Sequence, residues 1–208
     1  MQIVCISDTH GQHCDINVPA GDVLVHAGDI TRVGVLHEIK DFLDWYSALP
    51  HRYKIFIAGN HDKGFEHEKE KIIQIIPSNL IYLEDSGVQI EHLYFWGSPY
   101  TPKFFNWSFG KNRGEEIQTY WQKIPSYTDI LITHGPPKKI LDTTYKGHNV
   151  GCADLMNAID TLPELKLHVF GHIHEAYGMH VENNCTFINA SILDRKYKKY
   201  AEPVIITV

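Results

Sequence analysis

Asp8, His10, Asp29, Asn60, His134, His172 and His174 offer seven oxygen and nitrogen donors and no sulfur, a set that suits hard or borderline divalent ions (Mn, Fe, Zn or Mg) better than thiolate-seeking ones. They lie in five short polar clusters: Asp8-Thr9-His10, Gly28-Asp29, Gly59-Asn60-His61-Asp62, His134-Gly135 and Gly171-His172-Ile173-His174. The donors suffice for two metal ions, and the two oxygens of a carboxylate such as Asp29 can serve both, which a histidine cannot. Coordination lowers the pKa of water from about 15.7 to about 7, so a metal-bridging hydroxide is the expected nucleophile and hydrolysis the expected reaction. Two dications set against Asp8 and Asp29 leave a positive centre in a chain whose formal net charge is −6. That makes phosphate esters the natural substrates.

His61 adjoins the candidate ligand Asn60, so its side chain should point elsewhere, toward the leaving group. Its expected role is proton donor or electrostatic partner to the leaving oxygen, an effect of typically about 10²–10⁴-fold. Asp62 reads either as a carboxylate that orients His61 or as a surface residue. Arg32, three residues past Asp29, reads either as a clamp on a phosphate oxygen or as a surface arginine. In the aromatic-rich stretch 94–109, Tyr94, Phe95 and Trp96 read as sheet core. Tyr100, Phe105 and Trp107 could form a stacking wall for a base or aryl leaving group, with local packing an equal reading. His148 and Asn149 could approach the phosphate from another loop, although a turn before a helix explains the flanking Gly147 and Gly151 as well.

These clusters need positioning, and the chain supplies it. Each follows an apolar run of strand length, at residues 3–6, 23–26, 55–58, 130–133 and 167–170. In sheets flanked by helices, ligands gather beyond the carboxyl ends of strands, so five polar clusters in that position should converge on one site. Between the second and third runs, Val35, Leu36, Ile39, Phe42, Leu43, Tyr46 and Leu49 recur at helical spacing, closed by Pro50. Residues 66–76 read as a second, more charged helix, followed by short strands at 80–83, 88–90 and 93–96 and a loop over 97–110. A helix ending before Pro125 and another over about 152–162 flank the strand at 130–133. Residues 177–181, 186–188 and 204–208 read as antiparallel strands on the second half of the fold. Together these give an α/β architecture, two mixed sheets face to face with helices outside, as a single domain over 1–208.

The bulk properties bound the alternatives. With 208 residues the chain can bury a core without disulfides. A pI near 6.1 leaves no basic footprint for long nucleic acid, and the one basic cluster, residues 195–199, reads as a solvated turn. Cys5, Cys14, Cys152 and Cys185 show no Cys-x-x-Cys spacing, which favours reduced thiols and a cytoplasmic location. A strand from Gln2 leaves no room for a signal peptide, and no apolar run nears the roughly 20 residues that span a bilayer, so no membrane partner is expected. The chain lacks a Gly-x-x-x-x-Gly-Lys loop and a Gly-x-Ser-x-Gly elbow, and its His-Glu pairs lack the second histidine of a zincin helix.

With these residues in place, the chain resembles the calcineurin-like metallophosphoesterases, whose pattern D-x-H, G-D, G-N-H-D/E, H and G-H-x-H its five clusters match. The resemblance implies a four-layer α-β-β-α sandwich. It implies one metal held by Asp8, His10, Asp29 and His174, a second held by Asp29, Asn60, His134 and His172, and His61 as the catalytic histidine. Residues 97–102 with 104–107, 133–137 and 171–178 are similar to the metallophosphoesterase-domain-containing group, for which cyclic-nucleotide phosphodiesterase activity is described. Both His172 and His174 are kept here, whereas some members of that group lose a histidine of the last motif. The expected function is therefore hydrolysis of small phosphate esters, phosphodiesters such as cyclic nucleotides ahead of monoesters. The alternatives are a phosphomonoesterase or a low-activity nucleotide-binding scaffold. Because histidine ligands must be neutral, metal affinity should fall below about pH 6.

Overall fold

Ile3, Val4, Cys5 and Ile6 are all shielded from solvent, yet their side chains alternate between two apolar layers, Ile3 and Cys5 in one and Val4 and Ile6 in another. A strand buried on both faces needs such a continuous apolar run. In the computed structural model, which describes residues 1–199 and 201–208, this run is β1 (Gln2–Ile6), and β2 (Val23–His26) repeats the pattern. The apolar periodicity after β2 folds as α1 (Leu36–Ala48), whose Ile39, Phe42, Leu43 and Tyr46 pack on the outer face of that sheet. β3 (Tyr53–Phe56) follows, then α2 (Lys63–His67), α3 (Lys69–Gln74) and β4 (Ile81–Tyr82). The helix expected over 66–76 is thus two short helices that start earlier. Phe65 anchors the first against Phe56 and Tyr82, and the chain breaks at Glu68, whose ψ of 33° is not helical.

β5 (Ser86–Ile90) and β6 (Leu93–Ser98) open the second sheet. The loop expected from residue 97 contains a small parallel ribbon of β7 (Thr101–Pro102) and β8 (Gly110–Lys111). Then come α4 (Glu115–Trp121), β9 (Ile130–Thr133), α5 (Ala153–Ile159), β10 (Leu167–Phe170), β11 (Gly178–Glu182), β12 (Cys185–Asn189) and β13 (Val204–Thr207). The sheets are ordered β13-β1-β2-β3-β4 and β11-β12-β10-β9-β6-β5. Ile3, Val25, Ile55, Phe95, Ile132, Val169 and Ile188 fill the space between them, while Trp121, Leu155 and Ile159 pack with Leu131 and Phe187 on the outer face of the second sheet. The result is the expected four-layer α-β-β-α sandwich of two mixed sheets.

Two topological expectations are corrected. β12 pairs antiparallel with β11 but parallel with β10. β13 leaves the second half altogether and pairs antiparallel with β1, so that Gln2 faces Thr207 and the first residue's ammonium donates to the Val208 carbonyl at 2.7 Å. Its alternation explains the choice, because Val204 and Ile206 pack on the inter-sheet core while Ile205 faces solvent.

Candidate functional site

β1, β2 and β3 run parallel in one sheet, β9 and β10 run parallel in the other, and each hands its chain to one polar cluster. The clusters meet. His10 Nε2 lies 3.6 Å from Asp29 Oδ2, and His174 Nε2 lies 3.3 Å from Asp8 Oδ1. His134 Nε2 lies 3.3 Å from Asp29 Oδ1 and 2.9 Å from Asn60 Oδ1. Asp8, His10 and His174 form one group whose ligand atoms all fall within 4.8 Å of one another; Asp29, His134 and His172 form a second, and His10, Asp29 and His61 a third. Asp29 belongs to two of the three, as a shared carboxylate would.

The turns that aim these residues are strained. Asp8, His10, Asp29 and His172 have φ of 55°, 43°, 55° and 69°, a left-handed region costing a non-glycine residue about 1–3 kcal/mol. Backbone bonds hold it, with Asp8 N–H on the Gly28 carbonyl and His10 N–H on the Asp29 carbonyl, both at 3.0 Å. Two glycines are demanded by close approach. A Cβ at Gly59 would strike the backbone nitrogen and carboxylate of Asp29, and one at Gly171 would strike the Asp8 carboxylate and the Ser7 hydroxyl.

Hydrogen bonds orient the donors. The Nδ1 of His10, His134 and His174 face the carbonyls of Thr31, Ala27 and Asp194 at 3.2, 2.9 and 3.1 Å. Those carbonyls hold a proton on Nδ1 and leave each Nε2 as the nitrogen that meets a metal or a second proton. Yet His10 Nε2 and His174 Nε2 are 3.3 Å apart, and His134 Nε2 faces the Asn60 oxygen. Ring nitrogens and carboxylates crowded in this way need positive charge between them, from protons or from metal, and the nitrogen and oxygen donor set fits divalent ions. Electrostatics says the same. Burial would lower the pKa of His134, but the charges of Asp29 and Asp8 outweigh it and raise it to about 9. His174, likewise opposed by burial, is raised to about 9 by Asp8. Burial raises the Asp8 and Asp29 carboxyls less than these histidines lower them, so both stay well below the usual range. His10 and His172, in contrast, are pushed down by burial to about 4.

Of the remaining candidates, His61 gives its Nδ1 to the Arg32 carbonyl at 2.7 Å, stacks on Trp107 at 4.1 Å and 25°, and meets His10 edge-on at 4.6 Å. Its Nε2 is thus the nitrogen left for chemistry. Asp62 does not orient the His61 ring. It is fully buried and accepts hydrogen bonds from the N–H groups of Ile30, Thr31 and Gly59 and from the Thr31 hydroxyl. Burial, with the charge of Asp29 adding, pushes its carboxyl up to about 6. Arg32 holds the His10 carbonyl through Nε at 3.2 Å and lines a cleft of about 510 Å³ with His10, His61 and Trp107.

Trp107 is covered by His61 on one side and meets the Lys63 ammonium 5.0 Å from its ring, so it props the histidine. Tyr100 packs on Tyr120 and Phe109 at 3.9 and 5.7 Å, among the core clusters. Phe105 is 76% exposed and rests edge-on against Phe104. His148 lies in an exposed turn closed by the Thr144 N–H on its carbonyl, and the Asn149 amide donates to Asp142 and Thr143.

Sequence reasoning missed three neighbours of the cluster. The basic segment is not merely a solvated turn: Tyr197 stands edge-on to His10 at 4.8 Å and to His174 at 5.8 Å, and Lys196 lines the same cleft as Arg32. Asp194, which accepts from the N–H groups of Lys196 and Lys198, was the local signal of an ordered turn there. Ser191 donates to Asp8 Oδ2 at 2.8 Å beside the His172 N–H at 2.9 Å. The parallel bridge between Ser7 and Ser191 puts it there, and no local pattern announces it.

Residues 1–176 match the calcineurin-like phosphoesterase family. Metallophosphoesterase domain-containing protein 1 of Homo sapiens is 39% identical over 228 residues, covering 99% of this chain and 70% of that protein. A UPF0046 protein of Caenorhabditis elegans is 36% identical over 221 residues, covering 100% and 75%. The probable rhamnogalacturonate lyase C of Emericella nidulans is 42% identical over 192 residues, covering 87% of this chain but 18% of that protein. The match runs from β1 through the His172–His174 cluster, the same span whose strand ends converge on the shared Asp29 carboxylate, and the chain belongs to the calcineurin-like phosphoesterase family.

Proposed function

We propose that this protein is a hydrolase of small phosphate esters that works with two divalent cations, prefers phosphodiesters to monoesters and has cyclic nucleotides as its leading substrates. The observation that carries the reading is the convergence of the Nε2 nitrogens of His10, His134 and His174 on Asp8 and Asp29 with His61 alongside. Asp8, His10, Asp29 and His174 would hold one ion, and Asp29, Asn60, His134 and His172 the other. Bound there, the ions supply a water of lowered pKa and positive charge for the phosphoryl oxygens.

The rest falls to side chains of the chain itself. As a water oxygen bonds to phosphorus, the bond to the leaving oxygen breaks with its electron pair. That oxygen takes a proton from His61 Nε2, and the proton lost by water passes to solvent. Trp107 and the Arg32 carbonyl fix the His61 ring for this transfer. Arg32 and Lys196, on the wall of the same cleft, favour an anionic substrate. We further take residues 1–208 as one domain acting in the cytoplasm, which the four free cysteines suit. Among the described residues no helix is long and apolar enough to cross a membrane.

The test is hydrolysis of bis-p-nitrophenyl phosphate and p-nitrophenyl phosphate by chelated and Mn-reloaded protein, with His61→Ala as control. Metal-dependent cleavage of the diester, lost in the control, is expected. Faster cleavage of the monoester would redirect the reading to a phosphatase. Silence on both, with tight nucleotide binding, would make the protein a scaffold.

A further inference from the structure

A second cleft reaches the cluster from elsewhere. The first, lined by His10 and His61, opens on the cleft wall that carries Arg32, Lys196 and Gln12. The second, of about 330 Å³, shares no lining residue with it and meets the cluster at His172 and Gly135. The ligand groups they touch share Asp29: His10, grouped with His61, meets its Oδ2, and His134, grouped with His172, meets its Oδ1. The chemistry of the walls also differs. The second cleft is walled mainly by Pro102, Phe104, Pro136, Val150 and Ile173, with Lys103 and Thr144 also on its lining. Its arginine, Arg113, gives its guanidinium to the carbonyls of Val150 and Gly151 at 2.6 and 2.8 Å, so that charge closes the wall instead of facing a ligand. Phe104, on the lining, is 60% exposed, and Phe105, which meets it edge-on, is 76% exposed with a φ of 52°. Two adjacent aromatic rings left in water beside a concave apolar wall mark a site for an apolar group.

In an acyclic diester the leaving group and the retained substituent are separate groups on different positions of phosphorus, whereas a cyclic diester carries both on one ring. The leaving oxygen must face its proton donor, which places the leaving group in the His61 cleft. The substituent retained on phosphorus then projects away from His61. We infer that, for acyclic diesters, the cleft beside His172 houses that retained substituent and takes a flat apolar one, such as an aryl ring. This rests on the phosphoesterase reading and deepens it, because a monoester would leave the cleft unused.

The experiment compares two diesters with the same leaving group, phenyl p-nitrophenyl phosphate and methyl p-nitrophenyl phosphate, on the metal-loaded protein. The phenyl diester should lead in kcat/KM by at least about tenfold, mostly through KM. Val150→Trp, which fills the cleft, and Phe104→Ala, which removes an exposed wall and leaves the core untouched, should each bring the ratio toward one. A ratio near one in the wild type, or one that survives both variants, overturns the inference. Backbone amide shifts provide an independent readout: phenylphosphonate, but not methylphosphonate, should move the resonances of Val150 and Phe104 in the Zn-loaded protein. If neither diester is hydrolysed, the phosphoesterase reading fails, and these shifts alone then decide, their presence supporting the aryl site and their absence overturning it.

Discussion

Single side chains set the geometry of the cluster, and their removal should be legible one at a time. Ser191 donates to Asp8 from a strand end far along the chain, so Ser191→Ala should weaken metal affinity by about 10–100-fold, measured by competition with a chelator, while the fold persists. Gly171 has no room for a methyl group beside Asp8, and Gly171→Ala should lose metal as well as activity. Trp107 holds His61 by stacking. Trp107→Ala should lower kcat about tenfold with KM little changed, and Trp107→Phe should restore most of it; an unchanged kcat in the alanine variant would end the propping role. The residue types at Asp8, His10, Asn60 and His134 already suggested a metal site. The prop and the serine did not, because a stacking partner and a distant hydroxyl carry no signature of type or spacing.

At the scale of elements, the cluster depends on loops being tied to one another. Asp62 opens α2 but serves the loop after β2, stitching Ile30, Thr31 and Gly59 into one unit. Asp62→Ala leaves three buried N–H groups unmatched and should cost about 3 kcal/mol or more, seen as a lower denaturant midpoint, with Asp62→Asn milder. Strand existence was plain from the apolar runs, and β2, β9 and β10 fall on the expected residues. The break at Glu68 and the partner of β13 were not, since both are decided by packing against Phe56, Tyr82 and the inter-sheet core.

For the whole molecule, the titrations of the metal-free protein should shape its stability. His10 and His172 are lowered to about 4 and His26 and His168 to about 3, burial being the main cause in each. Between those values and the ordinary 6.5 the unfolded chain binds more protons, so stability rises with pH; Asp62, raised to about 6, opposes this by one group. His134 and His174, raised to about 9, reverse the sign: their contribution is complete below 6.5 and is lost as pH climbs through 9. The chelated protein should therefore melt highest near pH 6.5, a maximum that a series of thermal scans would locate. The same two protons must leave when metal enters, so loading at pH 7.5 should release about two protons per protein, measured by calorimetry in buffers of different ionisation enthalpy. Metal affinity should accordingly begin to fall below about pH 9, earlier than the pH 6 expected of ordinary histidines. The sequence by itself determined the donors, the strands that carry them and the layered fold, because residue type and apolar periodicity are local properties. Only the tertiary structure decided that Asp62 braces loops, that Tyr197 and Lys196 border the cluster and that two unlike clefts reach it, one at His10 and His61 and one at His172. Those facts depend on segments as distant as Ser7 and Ser191 meeting across the sandwich, which no local pattern encodes.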